Sequence, residues 1–118
     1  MKIDVRQEGN VTVITPSGPL IIGAGERLLN ETIARLFADR KFHIVIDMGA
    51  VPRMDSSGVD ALVLACRRAR ENGGDAKLAR LTPRIQQLLE ITQLNTVFDI
   101  YPDVSKATTP WTDARAGS

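Results

Sequence analysis

Few residues in this 118-residue chain could carry bond-making chemistry. Acid–base work on a nucleophile needs a positioned base, and the one histidine, His43, opens an apolar run instead of standing in a loop, which gives it a structural place. The one cysteine, Cys66, falls on the apolar stripe of a helical segment and reads as a packed residue, because buried thiols are inert. A single cysteine also excludes an intrachain disulfide or a thiolate metal cage within a monomer. One His, one Cys and scattered carboxylates offer no metal-ligand spacing. Gly23-Ala24-Gly25 supplies part of a phosphate-binding glycine loop, but Leu28 stands where a third glycine belongs, so the segment reads as flexible backbone. Arg67, Arg68, Arg70, Lys77, Arg80 and Arg84 are interrupted by Glu71 and Asp75 and lack an exposed aromatic platform, which makes them a solvated face rather than a nucleic-acid site.

What remains is Val51-Pro52-Arg53-Met54-Asp55-Ser56-Ser57-Gly58-Val59-Asp60. Two readings fit its residue types. In one, Asp55 or Ser56 caps a following helix and satisfies amides that would otherwise lack partners, while Gly58 permits close approach. In the other, the Ser56 hydroxyl faces free N–H groups and the positive end of the helix dipole, so a phosphate there would be tolerated locally. Such a phosphate adds about 1.5 to 2 negative charges beside Asp55 and Asp60 and would repel an acidic or tightly fitting partner. The segment would then be a switch acting on an interface. Met54 fits either a contact surface or the core.

The elements that must position this segment follow from the hydrophobic pattern. Lys2 to Gln7 and Val11 to Thr15 alternate or are β-branched around the turn Glu8-Gly9-Asn10, which predicts a hairpin. Leu29, Ile33, Leu36 and Phe37 share one face of a helix from Gly25 to about Ala38. His43 to Asp47 is a continuous β-branched run, the mark of a central strand covered on both faces. A second helix starts near Ser56 with Val59, Leu62, Val63, Cys66 and Ala69 on its stripe and stops before Asn72-Gly73-Gly74. Beside that stripe run Ala61, Leu64 and Ala65, so either two faces of this helix are buried or one awaits a partner. Ala76 to Leu81 predicts a strand, Thr82-Pro83 starts a third helix, and Thr96 to Tyr101 predicts a last strand. Val104 to Ser118 is polar and aperiodic and is expected to fray unless Trp111 docks. Strands separated by helices pair in parallel through right-handed crossovers, and the loop after the central strand leaves the edge where such sheets place their sites. The expected fold is α/β: a single four- to five-stranded mixed sheet with helices packed mainly on one side.

Composition agrees with one soluble domain: 43% hydrophobic and 25% charged residues are ordinary for globular proteins. A net charge of +1 provides no field for gripping nucleic acid or an anionic membrane. The apolar runs fall far short of the roughly 18 to 20 residues that span a bilayer, and Met1-Lys2-Ile3-Asp4 does not open a signal peptide. A cytoplasmic protein without membrane insertion is expected.

Ile44-Val45-Ile46-Asp47, Met54-Asp55-Ser56-Ser57-Gly58-Val59, Asn72-Gly73-Gly74, Leu81-Thr82-Pro83 and Phe98-Asp99-Ile100-Tyr101 together resemble a STAS domain of the anti-sigma-factor antagonist family, over roughly Lys2 to Asp103. The resemblance implies a bacterial regulator of transcription without enzymatic activity or cofactor. Its unphosphorylated form would bind a GHKL-type serine-kinase anti-sigma factor and free the sigma factor. Phosphorylation would break that complex, and a PP2C-type phosphatase would reverse it. Carried over by position, Ser56 is the phosphoacceptor, Asp55 borders it, Ser57 and Gly58 form the first helical turn, and Gly18, Met54, Val59 and Leu62 belong to the partner surface. The family's turn after the second strand carries an acidic residue, whereas here Gly18-Pro19-Leu20 runs into Ile21-Ile22. Other proteins of this kind act as constitutive scaffolds or as small subunits of signalling or lipid-transport complexes, which is the alternative function.

Overall fold

A computed structural model describes the backbone of residues 1–116, with side chains described to 109 and at Trp111. The chain opens with a hairpin of β1 (Lys2–Glu8) and β2 (Val11–Ser17), joined by a tight turn in which Gly9 takes a positive φ. Helix α1 (Ala24–Ala38) leads to β3 (His43–Asp47), α2 (Ser56–Glu71), β4 (Asp75–Ala79), α3 (Pro83–Ile91), β5 (Ile100–Tyr101) and α4 (Val104–Ala116). The five strands form one sheet in sequence order, β1 antiparallel to β2 and every later pair parallel. β3 is therefore central, as its unbroken apolar run predicts.

Strand alternation divides the buried residues between two faces. The front face carries Ile14, Ile44, Ile46 and Leu78, which join Leu29, Ile33, Leu36 and Phe37 of α1, Leu62 and Cys66 of α2, and Ile85 and Leu89 of α3 in one large core. The back face carries Val11, Val13, Val45 and Ala79, covered by Ala107 of α4, with Tyr101, Val104 and Trp111 around them. Three helices thus lie on one side and one on the other. The second small-residue stripe of α2 is resolved by burial: Ala61 and Ala65 belong to the front core on a helix that packs against α1, while Leu64 is exposed.

Three boundaries differ from the pattern reading, each for a local reason. β4 stops at Ala79 because Arg80 turns to φ 58°, outside strand geometry. The expected strand from Thr96 shrinks to Ile100–Tyr101. Gln93 adopts φ 61° and Leu94–Thr96 forms a 3₁₀ turn, closed by Val97 N–H donating to the Leu94 carbonyl at 3.0 Å and Thr96 Oγ1–H to that of Gln93 at 3.0 Å. The polar stretch from Val104, expected to fray unless Trp111 docks, is a helix, and Trp111 docks. Asp103 starts it by accepting a hydrogen bond from the Lys106 amide at 2.7 Å, and Ala107 and Trp111, one turn apart, anchor it on the sheet. Residues 117–118 of that stretch lie outside the described residues.

Candidate functional site

The site is built at the carboxyl edge of the sheet, where the chain leaves β3. Asp47 is buried and holds the exit: its carboxylate accepts from the Gly49 amide at 3.0 Å and from Arg80 Nη1 at 3.2 Å. Beyond the last ladder rung two loops continue side by side. Gly18 N–H donates to the Ala50 carbonyl at 3.0 Å, Leu20 N–H to that of Arg53 at 3.0 Å, and Asp55 N–H to that of Leu20 at 3.3 Å. Gly18 holds φ 114°, a conformation that glycine adopts readily and a side chain resists. Leu20 and Val51 are fully buried, so both loops are pinned to the core from below.

Asp55 ties these loops to the start of α2. One carboxylate oxygen accepts from the Gly58 amide at 3.2 Å, capping the helix, and the other accepts from the Ile22 amide at 2.9 Å. The Ile22 amide holds the Asp55 pKa below the ordinary 3.8, with further help from backbone amides including Gly58 and against the smaller effect of burial. Gly58 is buried against the Leu20 carbonyl and the Met54 side chain, both of which a Cβ would strike. Ser56 is the first helical residue and is exposed, Ser57 half-buried.

Exposed apolar residues flank the two loops and α3. Ile22 is 74% exposed and Ile91 72% exposed. Met54 is half-buried and, with Arg84, Ile85, Gln87, Leu88 and Ile91, lines a groove of about 220 Å³ between the loop and α3. Of the residues expected on the partner surface, Met54 lines this groove and Gly18 is half-buried on the neighbouring loop, but Leu62 has no exposed surface and Val59 is buried. Those two point into the fold because the stripe that marks α2 as amphipathic is its core face, so they can support a contact surface and not form one. Sequence reasoning gave Ile91 and Leu88 no part in the site and read Arg84 only as part of a solvated face. Their spacing was the available signal: 84, 88 and 91 form a second stripe on α3, offset from the core residues Ile85 and Leu89.

The remaining sequence candidates are dispersed. Arg70 pairs with Asp75 at 2.9 Å and lines a groove with Arg67 and Glu71, Arg80 pairs with Asp47, Arg68 stacks over Phe37 at 5.5 Å, Arg84 lines the groove beside Met54, and Lys77 is buried on the back face, so the six do not form one basic surface. His43 stacks on Trp111 with ring centroids 5.1 Å apart. Burial, then the charge of Asp75, pushes the Cys66 thiol up to about 11, which suppresses the thiolate. Among the described residues no group of three His, Cys, Asp or Glu could hold a metal ion, and no helix is long and apolar enough to cross a membrane.

The family model of the STAS domain matches residues 2–107. The chain belongs to the STAS-domain family. An anti-sigma-B factor antagonist of Bacillus subtilis is 28% identical over 100 residues, covering 85% of this chain and 90% of the relative. Among solved structures, a candidate anti-sigma factor antagonist of Thermotoga maritima superposes with TM-score 0.85 at 19% identity over 92% of each chain. The anti-sigma factor antagonist SpoIIAA, in its unphosphorylated form, superposes with TM-score 0.71 at 16% identity over 99% of this chain and 100% of its own. A structure of Bacillus SpoIIAA in the phosphorylated form superposes equally well, with TM-score 0.72. This STAS domain therefore shares its whole architecture with proteins of that class, and its Asp55–Gly58 turn occupies the loop that leaves the central strand.

Proposed function

We propose that this STAS domain is an anti-sigma-factor antagonist switched by phosphorylation of Ser56. The observation that carries the reading is the placement of an exposed serine on the first turn of α2, next to a carboxylate that binds the Ile22 amide of the neighbouring loop and two residues after Met54, which lines the groove with Leu88 and Ile91. The unmodified surface offers a partner apolar area to bury. A phosphate on Ser56 places about two negative charges beside that area, where docking would strip their water. The loop itself survives the change, because helix N-terminal amides favour an anion. The partner class is a GHKL-type serine-kinase anti-sigma factor, with a PP2C-type phosphatase to restore the bound state. Asp55 borders the phosphoacceptor, and Ser57 and Gly58 complete the turn.

The test uses wild type, Ser56→Ala and Ser56→Asp as baits in extracts of the source organism, with mass spectrometry of partners and of the bait. A kinase of that class retained by wild type and Ser56→Ala, lost from Ser56→Asp, with phosphate on wild-type Ser56, is the expected result. The same partners on all three baits, with Ser56 unmodified, would move the chain to the constitutive scaffolds or transporter subunits.

A further inference from the structure

The back face of the sheet holds a charged residue in a place where an apolar one would serve. Lys77 of β4 is 7% exposed and lies beside Val45 in the ladder, under α4. Its ammonium donates to Asp99 at 3.3 Å and to the Tyr101 hydroxyl at 3.3 Å, and sits 4.8 Å from the centre of the Trp111 ring. Trp111 also stacks on His43 at 5.1 Å, so one indole bridges β3 and β4. The matched family segment ends at residue 107, and Trp111 follows four positions later, on the same side of α4 as buried Ala107. The contact is thus made by a turn beyond the matched family segment.

α4 has little helical stability of its own. It contains Thr108, Thr109 and Thr112, which are poor helix formers, and Pro110, which has no amide hydrogen to give the preceding turn. Its docking supplies what its sequence does not. From these features we infer that α4 is a strap that opens and closes on the back face while the rest of the domain stays folded, and that Lys77 lowers the cost of opening. When Trp111 leaves, Lys77 keeps Asp99, which is half exposed already, and its ammonium gains water. An apolar residue at 77 would instead be stranded in water beside Val11, Val13 and Val45. A buried lysine beneath a weak helix is what a two-position cover requires; a permanent lid would be held better by a branched aliphatic side chain.

Hydrogen exchange on the full chain tests this, since local opening and global unfolding leave different signatures. Amides of α4 near Ala107 should exchange at least about tenfold faster than those of β3, at a rate insensitive to low denaturant. Lys77→Met, which retains a flexible apolar stem against the indole, should slow α4 exchange and leave β3 unchanged. Trp111→Ala should abolish α4 protection without altering β3. Equal rates and equal denaturant dependence in α4 and β3 would overturn the strap, and faster α4 exchange in Lys77→Met would overturn the role of the lysine. Should Lys77→Met fail to fold, wild type alone decides. Trp111 is the only tryptophan, so its fluorescence should change at lower urea than the far-UV dichroism, and coincident transitions count against opening.

Discussion

The two faces of one sheet are covered by different means. On the front, α1, α2 and α3 interlock over Ile14, Ile44, Ile46 and Leu78, and the loops of the candidate switch are anchored in the same core through Leu20 and Val51. On the back, a single proline-containing helix lies over Val11, Val13, Val45 and Ala79 and is fixed chiefly by Ala107 and Trp111. The larger core thus underlies the loops of the candidate site, and the smaller one lies on the opposite face. Neighbouring residues of β3 make the contrast measurable, because Ile46 faces the front and Val45 the back.

The largest effect should come from that pair. Ile46→Ala opens a cavity among three helices that cannot all move in, and should cost about 2–5 kcal/mol in urea unfolding. Val45→Ala removes two methyl groups worth about 0.8 kcal/mol each, and a strap that can settle adds little cavity penalty, giving about 1.6 kcal/mol. Equal losses at the two positions would mean that the back is as tightly built as the front.

Next in size is Gly58→Ala, which asks whether the switch shares the rigidity of the front. Alanine improves helix propensity by about 1 kcal/mol over glycine. Against this, its Cβ would strike the Leu20 carbonyl, which is backbone and already accepts a hydrogen bond from Asp55. Overpacking of this kind costs about 1–3 kcal/mol, so net destabilisation is expected, seen as a lower urea midpoint. A variant as stable as wild type would show that the loop gives way freely.

The same contrast explains what the sequence made legible. Helices α1 and α2 and the central strand were readable because their apolar periodicities report a core they all share. Asp55, Ser56 and Gly58 were readable as a unit because cap, hydroxyl and glycine are adjacent in the chain. Ile22 and Ile91 lie 33 and 36 residues from Asp55, and the Ile22 loop is joined to it through its backbone amide and not through its side chain, so no local pattern announces the patch they frame. Leu62 shows the two kinds of reading apart: its place on the apolar stripe of α2 puts it in the core, where it is buried, while its partner-surface role came only from the family resemblance. The back face was least legible: Val104, Ala107 and Trp111 are a sparse helical stripe of three residues in an otherwise polar segment, and Lys77 reads as a surface charge until α4 is seen above it.

Acid should separate the tie from the core. The depressed Asp55 pKa means that its contribution is complete above about 3.8, the ordinary value, and is lost as pH falls through the folded value, since the folded state then binds the proton less readily than the unfolded one. Asp55→Asn keeps an oxygen that can cap α2 but removes the titration. Its urea midpoint should therefore fall less than that of wild type between neutral pH and pH values below 3.8. Parallel acid profiles would mean that the Ile22 and Gly58 amides do not hold the charged form.

The smallest effect on stability is expected at Ser56, and its smallness carries the argument. The side chain is exposed on the first turn of α2, where the cap is made by Asp55 and not by the serine. An acidic residue at that end meets the helix dipole favourably, by about 0.3–1 kcal/mol, while repulsion from Asp55 and Asp60 opposes it. The two nearly cancel, so Ser56→Asp should shift the melting midpoint by no more than a few degrees, on the scale of about 4 °C per kcal/mol for a domain of this size. Dichroism should be unchanged. A domain whose fold ignores this substitution while its partner does not has separated signalling from stability. A large drop in midpoint would show instead that Ser56 is part of the structural turn, and any loss of binding in that variant would then follow from unfolding of the site.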